Sequence, residues 1–184
     1  MKMKTTKTLA EIESGETFTV ADIEFIKTGE ENGQVTAVAK NSLFDMRFGD
    51  NNNFAESDVK KKLETEILPR IEEAVGAENI IEHEVDLLSL DGDDKWGKTK
   101  CKISIPTFDF YRHNVKIFDK HPIDDWWWLA TPDTTAKHYN DNWVACVSPR
   151  GNFFNVNCLC LDFGVRPFII FVSSISVISG SCEG

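Results

Sequence analysis

No stretch of this 184-residue chain is apolar for the ~20 residues that a membrane-spanning helix needs. The longest apolar stretch near the C-terminus, Val165 to Val172, is interrupted by Arg166 and Pro167. No apolar segment follows the basic N-terminal residues, so no signal peptide is read. The chain is therefore expected to be made in a cytoplasm, with a later place on a virus particle left open. Catalytic signatures are missing as well: there is no P-loop, G-x-G-x-x-G, H-E-x-x-H, G-x-S-x-G or C-x-x-C. Internal repeats, heptads and Pro/Ser-rich linkers are absent. Positive charge is scarce, with 20 Lys+Arg against 30 Asp+Glu and a net charge of −10. The only basic run, Lys60-Lys61-Lys62, is surrounded by Glu56, Asp58, Glu64 and Glu66. That excludes the basic stripe a general nucleic-acid binder presents to phosphate.

What is present fits one folded domain over residues 1–184. The hydrophobic share of 41% and charged share of 27% are those of a globular protein. A chain of this length buries roughly 70% of its unfolded surface. The cysteines are odd in number (Cys101, Cys146, Cys158, Cys160, Cys182) and read as mostly reduced thiols.

Residues 9–40 alternate in the manner of strands, with Phe18, Val20, Ile23 and Phe25 apolar and a phase slip near Ala21. Asn32-Gly33 suits a hairpin turn, which needs positive φ. Residues 41–55 read as loop. Ser57 caps a helix whose stripe is Val59, Leu63, Ile67, Ile71 and Val75; Pro69 must kink it and Gly76 stop it. Thr107 opens a second helix with Phe108, Tyr111 and Val115 on one face.

From Asp124 the texture changes. Trp126, Trp127 and Trp128 stand in a row, and strand alternation sends Trp127 opposite to its two neighbours. Rings of this size predict packing on both faces rather than an exposed stacking platform. Residues 142–156 read as a hairpin turning at Ser148-Pro149-Arg150-Gly151, and 158–172 as a final pair of strands meeting near Gly164.

Asp91, Asp93 and Asp94 lack the sixth-position glycine and twelfth-position Glu of a calcium loop and read as an exposed turn. Cys146, Cys158, Cys160 and His138 reach four zinc ligands by count, but small thiols on one strand face read as core. His121, Asp124 and Asp125 sit in no catalytic signature. No metal, cofactor or enzymatic activity is implied.

Two pieces carry a resemblance: "WWWLATPD" at 126–133 and "FGVRPFIIF" at 163–171. Together with "LAEIESGETFTVADIEFIKT", "DLLSLDGDDKWG" and "IPTFDFYRHN", the chain resembles a family from gut Firmicutes and their phages. That family is marked by W-W-L-R-[ST]-P and a closing G-V-R-P. Ala130 departs from it, standing where the family usually has Arg. The resemblance implies a single α+β domain of C-type-lectin-like (formylglycine-generating-enzyme-like) fold, with two helices and small antiparallel sheets. Residues 9–120 would be scaffold and 124–172 a lectin-like sheet. It also implies kinship with variable proteins of diversity-generating retroelements, in which adenine rewriting of one segment diversifies a binding surface. The implied function is non-enzymatic receptor binding to a protein or glycan on a bacterial surface. The alternatives are a structural phage component or an enzyme related to formylglycine-generating proteins with reactive cysteines.

Composition adds a hint of its own. Rewritten A-A-C and A-A-T codons yield Asn, Tyr, His, Asp, Phe, Ser and Cys but never Lys, Glu, Gln, Met or Trp. Between His138 and Cys182 there is no Lys, Glu, Gln or Met and the only Trp is Trp143, whereas 15 Lys and 14 Glu precede His138. Ordinary strand and turn composition accounts equally for 164–182 and for 138–142, and less well for 152–160. The expected variable segment is 138–163. Its expected surface comprises Tyr139, Asn140, Asn142, Asn152, Phe153, Phe154, Asn155, Asn157, Cys158, Cys160 and Asp162. The expected core includes Phe25, Leu63, Ile67, Trp127, Val144, Val165 and Phe168. Arg166 is expected to be buried or half-buried beside a carboxylate.

Overall fold

The computed structural model describes residues 5–135, 141–159 and 163–180. Its N-terminal part is built from β1 (Thr5–Thr8), β2 (Thr17–Val20), β3 (Ile23–Glu31) and β4 (Gln34–Ala39). The phase slip at Ala21 is itself a two-residue turn, with φ of 50° at Ala21 and 63° at Asp22. Asn32 and Gly33 close the next hairpin at 52° and 75°, as the sequence predicts.

Residues 41–55 are mostly loop but contribute β5 (Asp45–Met46). The first helical segment comprises α1 (Asp58–Lys62), a π-helical turn (Leu63–Ile67) and α2 (Leu68–Val75). Ser57 Oγ caps it, accepting from the Lys60 N–H at 3.0 Å. A strict four-residue spacing advances the stripe by about 40° per step on an ideal helix. The π turn, in which Leu68 N–H bonds the Leu63 carbonyl, has more residues per turn and takes that drift back. Val59, Leu63, Ile67 and Ile71 are therefore all buried. Pro69, in the first turn of α2, has no N–H to lose to the ladder.

β6 (His83–Asp86) and β7 (Lys98–Cys101) form a small sheet of their own, and β8 (Ile103–Ser104) follows. The second helical segment is broken at Asn114 into α3 (Phe108–His113) and α4 (Val115–Phe118), with Thr107 as N-cap. The break rotates Val115 away from Tyr111, leaving it 37% exposed, which corrects the expectation that both share a buried face.

The remaining strands are β9 (Trp127–Pro132), β10 (Trp143–Val147), β11 (Phe153–Asn157), β12 (Phe163–Gly164), β13 (Phe168–Val172) and β14 (Ser176–Gly180). One sheet has the order β1-β14-β2-β3-β4-β13-β8 and the other β11-β10-β9-β12-β5. The fold is α+β and dominated by sheet. Two expectations change. The larger sheet has seven strands and is not small. Residues 124–172 do not make one sheet: β9 to β12 lie in the five-stranded sheet, while β13 crosses to the seven-stranded one.

That crossing is the G-V-R-P segment. A Cβ at Gly164 would overlap Ser42 Oγ and Asp125 Oδ2, so only glycine lets these backbones approach. Val165 is core, and the Pro167 carbonyl accepts the Ala39 N–H at 2.8 Å. Arg166 is buried, as predicted, but among the described residues no carboxylate forms an ion pair with it. Its Nε donates to the Ala39 carbonyl at 2.9 Å, and its guanidinium lies over the Trp127 and Phe118 rings. Aromatic faces stand where a carboxylate was expected.

Every residue of β9 is buried, and both of its faces are packed. Trp127 meets Tyr111 and Phe118, each with ring centroids 5.6 Å away. Trp128 meets Phe48 and Phe163 on the other side and donates Nε1–H to the Met46 carbonyl at 2.8 Å. The remaining expected core residues are buried except Phe168, which is half-buried against His83 and Phe110.

Candidate functional site

The segment expected to vary is rooted at its N-terminal side by two sets of buried polar contacts. Asn52, fully buried, donates from Nδ2 to the Thr134 and Trp143 carbonyls and accepts the Trp96 indole N–H at 2.9 Å. Its own N–H bonds the Asp141 carbonyl at 2.7 Å. The acidic turn makes the second root. Thr135 donates to Asp93 and Thr134 to Asp91, each at 2.6 Å, and Ser89 Oγ accepts the Asp93 N–H at 2.9 Å. The stretch is the exposed turn the sequence predicts at Asp91, Gly92 and Asp94, but Asp93 within it is buried. Among the described residues no group of three or more His, Cys, Asp or Glu is arranged to hold a metal.

Beyond these contacts β10 and β11 form the predicted hairpin, in register from Trp143↔Asn157 to Val147↔Phe153. Val144 to Val147 are buried. β11 is the outermost strand, and Asn152, Phe153, Phe154 and Asn155 are exposed in succession. Alternation divides them between two faces. Phe153 rests on Phe108 with centroids 4.5 Å apart, and Phe154, 46% exposed, rests on Trp126 at 5.2 Å. Asn155 and Asn157 share the Phe153 side. The expected residues thus line an edge rather than one flat face. Asn142 is exposed beside Trp143, and Asn157 is half-buried.

Cys158 is the exception. It is fully buried, its N–H bonds the Asn142 carbonyl at 2.6 Å and its carbonyl accepts from Phe48. Burial pushes its thiol above the ordinary value. Cys158 therefore belongs to the support and not to the display surface: just past the end of β11 its backbone is held between Asn142 and Phe48. Tyr139, Asn140, Cys160 and Asp162 lie outside the described residues.

Another group, not singled out from sequence, comes together from three strands. His83 Nε2 lies 2.9 Å from Ser104 Oγ and 4.0 Å from Cys101 Sγ. Burial lowers the His83 pKa and pushes the Cys101 thiol up to about 11. A cavity of about 120 Å³ adjoins His83 and Ser104. The residues are remote in sequence and match no local pattern, so only strand pairing reveals them.

No helix among the described residues is long and apolar enough to cross a membrane. No protein-family model, no curated protein and no solved structure matches the chain.

Proposed function

We propose that this is a non-enzymatic binding protein of C-type-lectin-like fold, related to variable proteins of diversity-generating retroelements. Its contact surface is the edge hairpin with the segment 138–163, and its target is a protein or glycan on a bacterial surface, reached from a phage or prophage particle. One observation carries the reading. Four consecutive exposed residues, two Asn and two Phe, lead into and form the start of an edge strand whose partner strand is wholly core over 144–147. Aromatic and Asn side chains give large contact area and adaptable hydrogen bonds at modest entropy cost, as in antibody loops. Because β10 carries the packing, residues on β11 can change with little consequence for the fold.

The test replaces Tyr139, Asn142, Asn152, Phe154, Asn155 and Asn157 together by Ala or Ser and compares melting with binding to a panel of gut Firmicutes cells. The expected variant melts cooperatively, with a cost of about 0.5 kcal/mol or less at each exposed position. The same variant no longer binds the cells its parent binds, since interface energy concentrates in a few anchors. Unfolding, or cell binding equal to the parent's, sinks the proposal. A reverse transcriptase gene beside a near-copy of the 138–163 coding segment would support it independently.

A further inference from the structure

Arg166 is 1% exposed, yet Nη2 of its guanidinium is buried without a hydrogen-bond partner. The Nε–H is taken by the Ala39 carbonyl at 2.9 Å. The group lies 4.6 Å from the centroid of the Trp127 ring and 5.1 Å from that of Phe118. Both rings and Arg166 line one cleft of about 310 Å³, within the range of small-molecule sites. Arg166 thus lines the cleft while its partnerless nitrogen stays buried beside it. Arg carries five N–H donors and no acceptor, and burying such a charge unpaired is costly. Burial brings its pKa down to about 10, so it still carries its charge at neutral pH.

The rest of the lining defines what would relieve that cost. Ile123 and Pro149 are apolar, and the exposed Arg150 adds positive charge at the turn of the hairpin. Asp119 lines the same cleft and supplies an acceptor. His121 also lines it, with Nε2 2.7 Å from the Gly15 carbonyl. A buried cation, an acceptor and apolar walls in one small cleft suit a carboxylate that carries an N–H and an apolar side chain beside it.

We propose that this cleft binds the carboxylate of an N-acylated amino acid or of a peptide C-terminus, with Arg166 as its anchor. The guanidinium edge left free by Ala39 pairs with the carboxylate, a charge-assisted contact stronger than a neutral one. The apolar side chain lies against Ile123 and Pro149, and Asp119 accepts the N–H. The cleft borders the turn of the same hairpin, but no residue of β11 lines it, and the proposal does not depend on the binding role given to that strand.

The experiment follows the ¹H–¹⁵N resonance of the Arg166 Nε–H, held against Ala39, during titration with N-acetylphenylalanine. The expected result is a saturable shift with a half-point of about 1 mM. N-acetylphenylalaninamide, the same shape without the charge, is expected to bind at least about tenfold more weakly. Acetyl-Ala-Ala-Phe distinguishes the two sources: about tenfold tighter binding than N-acetylphenylalanine assigns a chain end, and equal or weaker binding assigns the free acid. Arg166→Met is expected to abolish the response, followed on neighbouring backbone amides. Should that variant not fold, Arg150→Ala at the rim is expected to weaken binding about two- to fivefold. No shift with either carboxylate probe, or equal shifts with acid and amide, overturns the proposal and leaves Arg166 as a purely structural cation between two rings.

Discussion

At the scale of single residues, burial sets what each polar group can do. His83 is packed edge-on against Phe168 with ring centroids 4.9 Å apart, and desolvation favours its neutral form. In the unfolded chain it titrates near pH 6.5. Its folded pKa lies lower, so above about pH 6.5 both states are neutral and no stability is lost there. As pH falls below about 6.5 towards the folded value, the unfolded chain takes the proton first and stability declines. The Glu11 carboxylate, held low by the Thr8 N–H and hydroxyl, titrates below its ordinary value of 4.5 and stays out of that window. Denaturant midpoints at about pH 7.5 and about pH 5.5 check this. His83→Gln is expected to show a smaller drop between the two than the parent; equal drops would remove His83 as the source.

At the scale of elements, one helix illustrates how period and packing cooperate. Leu63 stands at the start of the π turn and is fully buried. Leu63→Ala is expected to cost about 2–5 kcal/mol, the range for a buried large-to-small change. Val115, beyond the Asn114 break, is exposed, and Val115→Ala is expected to stay within about 0.5 kcal/mol. Urea midpoints of the two variants decide the point; a parent-like midpoint for Leu63→Ala would mean that the stripe faces elsewhere. Ser57 and Thr107 were readable as caps because capping depends on a side chain and an N–H a few residues away. The π turn was not, because it resolves a mismatch between helix pitch and the wall the stripe must meet.

At the scale of the whole molecule, the last strand is structural. β14 lies between β1 and β2, pairing Ile178↔Thr19 on one side and Thr6↔Ile178 on the other. Ending the chain after Val172 would strand β1 and uncover the β2 edge. It would also remove buried Ile175 and Val177. At about 1.5–3 kcal/mol for each side chain the loss is about 3–6 kcal/mol, a large part of the 5–15 kcal/mol typical of a domain. Calorimetry of the truncated chain is expected to show a much lower melting temperature or no cooperative transition. An unchanged transition would make β14 peripheral.

The amino-acid order by itself determined the features that depend on near neighbours. These are the Asn32-Gly33 turn, the Ser148–Gly151 hairpin, the helix caps, and the burial of consecutive tryptophans on opposite faces of one strand. Each follows from backbone geometry or from side-chain size over a few residues. The tertiary structure alone decided which strands pair. It sent β13 to a different sheet from β12, made glycine obligatory at 164 through Ser42 and Asp125, and turned Cys158 inward. It also set aromatic rings rather than a carboxylate against Arg166. These outcomes rest on contacts between residues far apart in the chain, as in the bond from Arg166 to Ala39, 127 positions away. Alternation specifies which face of a strand is buried but carries no information about the neighbour that will cover it.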